Sequence, residues 1–119
     1  MRNMSFGLTQ TQVRAGTKTV TRRLGWRTLR PGENLQAIEK GQGLRKGEKV
    51  KPIRSIRILN VRREPLIRLY EPRYGAEECA KEGFPGRDPL EFVIWFCKAH
   101  RPCKPNWLVT RIEFEYADC

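Results

Sequence analysis

The sequence predicts an α+β domain, a curled sheet with short flanking helices, and three observations carry that reading. Stretches of strand composition lie near both ends of the chain, with two helical patterns between them. The run Val109–Tyr116 alternates cleanly, Thr110, Ile112, Phe114 and Tyr116 against Val109, Arg111, Glu113 and Glu115, as a closing strand does. At 119 residues the chain holds one core and not two. It has no repeat, low-complexity tract or linker, so residues 1–119 read as a single domain.

In order along the chain, Met4 to Leu8 is a short strand or entry segment. Thr9 followed by Gln12 fits an N-cap with its capping-box partner, predicting one or two helical turns from Thr9 to Ala15 closed by Gly16. A β-branched stretch through Thr21 follows. Pro31-Gly32 signals a turn, and Asn34 to Glu39 reads as a strand with Leu35 and Ala37 on one face and Ile38 out of step. Residues 40 to 49, rich in Gly and Lys, form an exposed loop. Ile53 to Arg63 has strand propensity throughout, and its imperfect alternation predicts a long strand bent by a bulge and ended by Pro65. Gly75 to Gly83 is a short helix with Ala76, Cys79 and Ala80 on one stripe and Gly83 at its end. Asp88-Pro89-Leu90-Glu91 is a helix start, and the segment through Cys97 is apolar almost all round, which predicts a buried helix with core aromatics.

Composition bounds the function. With 39% apolar and 31% charged residues, a soluble globular protein is expected. No apolar run approaches membrane-spanning length, and MRNMSFGL lacks the core of a signal peptide. A cytoplasmic protein without a membrane partner follows, its four cysteines thiols. The net charge of +11 predicts attraction to polyanions such as RNA or DNA. Arg2, Arg14, Lys18, Arg22, Arg23, Arg27 and Arg30 all precede the first acidic residue, Glu33.

The stretch AGTKTVTRRLGW, Ala15 to Trp26, most needs a functional explanation. As a strand it places Lys18, Val20, Arg22 and Leu24 on one face and Thr17, Thr19, Thr21 and Arg23 on the other. Cations beside apolar side chains suit either a solvated edge strand or a pocket with an apolar floor. In a pocket, a desolvated Lys18 beside Arg22 and Arg23 has its pKa pushed down and becomes a base, with the Thr21 hydroxyl near enough to activate. Trp26 either stacks on a base or packs over the mouth of the barrel. Glu82 is conspicuous too. A carboxylate in the last turn meets the negative end of the helix dipole, at a cost of about 0.3–1 kcal/mol relative to a cation. An ion pair with an arginine or a catalytic role would explain it, whereas Glu77 and Glu78 sit favourably near the helix start. Cys97, His100 and Cys103 lack a standard zinc spacing, so buried thiols beside a surface histidine are expected and no metal site.

GTKTVTRR resembles the Gly-x-Lys-Thr-x-Thr-x-Arg run that opens the barrel of ASCH domains, relatives of the PUA-like nucleic-acid-binding folds. The likeness extends from about Met4 to Tyr116, and from RLGW onward much of the chain looks like the ASCH proteins of phages and prophages. It implies a PUA-like curled β-barrel with short flanking helices. In the ASCH amidohydrolases that remove the acyl group from N4-acetylcytidine, a Lys-Thr-Glu trio is catalytic. Carried onto this chain, the resemblance implies Lys18, Thr21 and Glu82 as catalytic residues, Arg23 at the motif's arginine, and no metal or cofactor. The partner it implies is a modified cytosine nucleoside. Other ASCH domains are assigned RNA binding or ribonuclease activity. That alternative makes this an RNA- or DNA-binding module, with Arg22, Arg27, Arg30, Arg62 and Arg63 on the nucleic-acid backbone and Arg23 and Trp26 beside them. Relative to the smallest amidohydrolases, this chain is more basic and has a longer basic segment between the Lys-Thr strand and the central strand.

Overall fold

In the computed structural model, which describes residues 1–41 and 44–118, five strands form one mixed sheet flanked by three short helices. In chain order these are β1 (Arg2–Ser5), α1 (Gln10–Ala15), β2 (Val20–Arg23), β3 (Asn34–Ile38), β4 (Pro52–Pro65), a 3-10 turn (Leu66–Tyr70), α2 (Pro72–Lys81), α3 (Pro89–Ala99) and β5 (Leu108–Tyr116). The spatial order is β1-β3-β4-β5-β2. Every neighbouring pair is antiparallel except β1 and β3, which run parallel. The sheet curls into a half-barrel, the curled sheet that the sequence predicted. Among the described residues, no helix is long and apolar enough to cross a membrane.

β4 is the long bent strand that its composition predicted. Its register with β5 shifts between Ile58 and Asn60, and this bulge lets one strand pair with β3 at one end and β5 along the rest. The break at Ile38 is real as well, a register shift between Ala37 and Ile38. One apolar cluster fills the concave sheet, with Met4, Phe6, Leu35, Ile56, Ile112 and Phe114 at its centre. A second, including Leu66, Leu69, Phe92, Phe96 and Val109, joins α2 and α3 to the end of β5.

Four local expectations need correction. Thr9 precedes α1, but its side chain makes no capping hydrogen bond; the hydroxyl is buried beside the cavity described below. The exit is as expected, with Gly16 left-handed at φ 76°. α2 begins a turn earlier than its apolar stripe suggested, because Glu71 caps it and Pro72 supplies a prefixed first φ. Glu78 therefore lies in mid-helix, not at the favourable start. α3 is one-sided: Phe92, Val93 and Phe96 are buried, whereas Ile94 is 57% exposed. His100 is half-buried instead of lying on the surface.

Gly75, inside α2, lies where the helix packs tightly on Leu69 and Pro89. A Cβ there would run into the Leu69 carbonyl oxygen and lie 2.7 Å from Pro89 Cγ. Alanine normally favours a helix over glycine by about 1 kcal/mol. Here Gly75→Ala is expected instead to lower stability by about 1–3 kcal/mol through overpacking against backbone, read as a lower urea midpoint.

Candidate active site

The end of α2 and the entry to β2 are bound together, and this contact makes the site. The Thr19 N–H donates to the Lys81 carbonyl at 2.8 Å. Beyond Lys81 the helix closes in a Schellman motif, Gly83 N–H to Ala80 O and Phe84 N–H to Cys79 O, with Gly83 at φ 102°. Glycine is required there twice over, since a Cβ would also sit 2.6 Å from Gln12 Cγ. The motif leaves Glu82 at the C-cap, aimed at Lys18.

Lys18 is 2% exposed and Glu82 3%. Lys18 Nζ donates to Glu82 Oε1 at 2.7 Å and to the Glu82 carbonyl at 2.9 Å. The other carboxylate oxygen, Oε2, accepts from Arg22 at 3.0 Å. The last-turn carboxylate is thus explained by ion pairs, with a lysine as well as an arginine. Burial pushes the Lys18 pKa below its ordinary value; Glu82 opposes the shift, and Arg23 and Arg22 reinforce it. Thr21 is buried, and its Oγ1 accepts from Arg23 Nε at 3.1 Å. Burial also pulls the Arg23 guanidinium down to about 10.

Lys18, Thr21, Arg22, Arg23 and Glu82 all line one cavity of about 360 Å³, within the usual range for small-molecule sites of about 300–1,000 Å³. The expected alternation of faces holds in part. Lys18 and Arg22 both reach Glu82, and Thr21 pairs with Arg23. Regular strand begins only at Val20, however, so Lys18 and Thr21 share a cavity despite their odd spacing. The Lys18 backbone is fixed from the far side, its carbonyl accepting from Tyr116 Oη at 2.6 Å.

Behind the cavity lies a buried charge network. Arg22 on β2, Arg111 on β5 and Arg62 on β4 are in register across three adjacent strands, so three guanidinium groups share one row. Carboxylates neutralise the row: Glu78 binds Arg22 at 2.6 Å and Arg111 at 2.6 and 3.0 Å, and Glu64 binds Arg22 and Arg62. Glu78 and Glu82, four apart on α2, would repel each other if Arg22 did not lie against both. Burial alone would lower the Arg22 pKa, but Glu82, Glu78 and Glu64 hold it above its ordinary value. Arg22 Nε remains buried without a hydrogen-bond partner.

The network implies an acid transition. Burial favours the protonated Glu78, but Arg111 and Arg22 prevail and hold its pKa at about 2; Glu64 is lowered likewise, mainly by Arg62 and Arg22 against its burial. Carboxyls depressed in the fold bind protons more weakly than in the unfolded chain. Their stabilisation is complete above the ordinary value of 4.5 and is lost as pH falls below it, for Glu78 through about 2. Urea midpoints measured from pH 6 downward are expected to hold steady and then drop across that window.

The remaining expected binding residues divide sharply. Arg22 was expected to meet a nucleic-acid backbone, but its side chain is wholly enclosed and neutralised by three carboxylates. Arg62 is engaged by Glu64 and the Tyr74 hydroxyl, and Arg63 clamps the Leu24 carbonyl and the Thr110 hydroxyl, so both hold the sheet together. Arg27 and Arg30 are exposed. Trp26 is half-buried against the sheet core at φ 60°, with the Arg2 guanidinium 5.3 Å from its ring.

Sequence reasoning missed Ser5, Phe6, Trp95 and His100, which also line the cavity. Trp95 was hidden in an apolar run. His100, the chain's single histidine, stacks on Phe96 with centroids 4.1 Å apart; its Nδ1 lies 2.9 Å from the Phe96 carbonyl, which fixes Nδ1 as the donor and leaves Nε2 unprotonated in the neutral ring. Among the described residues, no group of three or more His, Cys, Asp or Glu could hold a metal ion. The Cys97 and Cys103 sulfurs lie 3.6 Å apart as thiols.

Strand order, bulged central strand and flanking helices give the chain an ASCH, PUA-like fold. The structure is similar to the crystal structure of a protein of Enterococcus faecalis from the DUF984 family, at 16% identity and a TM-score of 0.58 over 92% of this chain and 69% of that one. It is also similar to an ASCH domain from Lactobacillus crispatus, at 16% identity and a TM-score of 0.52 over 97% of this chain and 79% of that one. At such identity the likeness establishes the fold. No family model and no curated protein matches the sequence.

Proposed function

We propose that this protein is an amidohydrolase that removes the acyl group from N4-acylated cytosine nucleosides, with Lys18, Thr21 and Glu82 as its catalytic trio. The observation that supports this most is the Lys18–Glu82 pair, buried yet lining a cavity shared with a threonine hydroxyl. A neutral lysine amine has two N–H donors and one lone pair. Both donors are already committed to the carbonyl and carboxylate of Glu82, so the lone pair is left for a third direction.

In this reading Lys18 takes the proton of Thr21 as Oγ1 attacks the exocyclic amide carbonyl. Arg23 already donates to Oγ1, which favours the alkoxide and places a cation beside the developing oxyanion. Collapse breaks the C–N4 bond, the cytosine amine leaves with the proton held on Lys18, and Thr21 carries the acyl ester. Water, deprotonated in turn by Lys18, hydrolyses the ester and restores the hydroxyl. Glu82 orients Lys18 and, through Oε2, anchors the pair to Arg22.

The test is hydrolysis of N4-acetylcytidine followed by ultraviolet absorbance, wild type beside Thr21→Val. Turnover that falls at least about 100-fold in the variant is expected. Failure of the wild type with acetyl and with bulkier acyl groups would overturn the assignment.

A further inference from the structure

We propose that Cys97 and Cys103 form a dithiol site, oxidised to an intramolecular disulfide by a small anionic disulfide, and that this closure moves one wall of the cavity that holds Lys18 and Thr21. The two sulfurs are 3.6 Å apart, with the Cys97 thiol donating to the Cys103 sulfur. Both are free thiols. Their access differs: Cys97 is half-buried, whereas Cys103 is 8% exposed. A disulfide holds its sulfurs about 2.05 Å apart, so closure draws the pair together by about 1.5 Å.

Access and charge fit the oxidant. Both cysteines line a pocket of about 460 Å³ that shares no lining residue with the cavity of Lys18. Its charged lining residues are Lys98, Arg101 and Lys104, all exposed, and no carboxylate lines it. A small disulfide that carries carboxylates, such as glutathione disulfide, is drawn by these charges. Cys97, the more accessible thiol, loses its proton and attacks one sulfur of that disulfide; half of the molecule leaves as a thiolate and takes up the proton. The Cys103 thiolate then attacks the Cys97 sulfur of the mixed disulfide and expels the second half, which is protonated likewise. Two protein thiols are oxidised, and one disulfide is reduced to two thiols. The second step is the slower, because burial, and Cys97 beside it, push the Cys103 thiol up to about 11.

The turn between the cysteines carries the change to the cavity. The Cys103 N–H donates to the His100 carbonyl at 3.0 Å, and the His100 N–H donates to the Phe96 carbonyl at 3.0 Å. Phe96 and His100 both line the cavity of Lys18 and Thr21. Drawing Cys103 toward α3 therefore displaces the imidazole.

The test treats the full chain with glutathione disulfide and follows intact mass, peptide maps and the imidazole NMR signal of His100, the chain's single histidine. Wild type is expected to lose two hydrogens and gain a crosslink between Cys97 and Cys103, reversed by dithiothreitol. Its imidazole signal should move with the oxidised fraction. Cys103→Ser should stop at a glutathione adduct on Cys97, and Cys97→Ser should leave Cys103 unmodified. The wild-type rate should rise with pH, as Cys103 gives up its proton more readily. It should also exceed, by about tenfold, the rate with cystamine, a cationic disulfide. Failure of the crosslink to form, or an adduct on Cys97 that Cys103 never displaces, would overturn the site. A crosslink that left the imidazole signal in place would overturn its coupling to the cavity. Equal rates with the two disulfides would overturn the choice of an anion.

Discussion

Lys18→Met is expected to lower kcat/KM on N4-acetylcytidine by about 10²–10⁴-fold, the usual contribution of a positioned general base, with the fold retained. Methionine fills the space of the lysine stem, and Glu82 keeps its bond from Arg22 at 3.0 Å, so no carboxylate is left bare. The pH profile carries the same information in another form. The base must be neutral to act, so kcat/KM should rise with pH through the Lys18 pKa, which burial places below the ordinary 10.5. Glu82 works against that shift, by its charge and its hydrogen bond. Glu82→Gln should therefore move the rising limb to lower pH, even as the lost orientation lowers the plateau. A limb that did not move would separate Lys18 from the titration.

The largest stability effect is expected at Arg22. Removing one partner from a buried ion network costs about 3–5 kcal/mol, because charges are left uncompensated away from water. Arg22→Leu strands parts of three carboxylates at once, but each has a second cation: Arg62 for Glu64, Arg111 for Glu78, Lys18 for Glu82. The lower end of the range, about 3 kcal/mol, is therefore expected from urea unfolding at neutral pH with an unchanged m-value. Arg22→Lys should recover little, since one ammonium cannot span the carboxylates that the planar guanidinium bridges. A loss below about 1 kcal/mol would mean that the network is not a structural tie.

Much of this architecture was legible because local physics decides it. Asp88 caps α3 as its sequence says, its side chain accepting from the Leu90 N–H at 3.0 Å. Gly16 and Gly83 both take the positive φ that their positions call for. The bend in β4 followed from a pattern that could not keep to one face. Glu82 was legible for a similar reason, as a residue locally out of place.

Two of the features that escaped are non-local. The parallel pairing of β1 with β3 has no local signal. The row of Arg22, Arg111 and Arg62 exists only once the register of three strands is known, so a buried tie looked like part of a basic face. α2 started early because a glutamate caps it, which an apolar stripe does not reveal. His100 reaches the cavity as the C-cap of α3, stacked one helical turn on from Phe96, a placement that the spacing of two cysteines obscured.

The most direct measurement is a rapid acid quench of wild type mixed with excess N4-acetylcytidine, followed by mass analysis of the peptide that carries Thr21. An acetyl ester on Thr21, formed and consumed within the turnover time and absent in Lys18→Met, is the expected result. Release of acetate with no acyl group on Thr21, or no release at all, would contradict the assignment of Thr21 as nucleophile and Lys18 as its base.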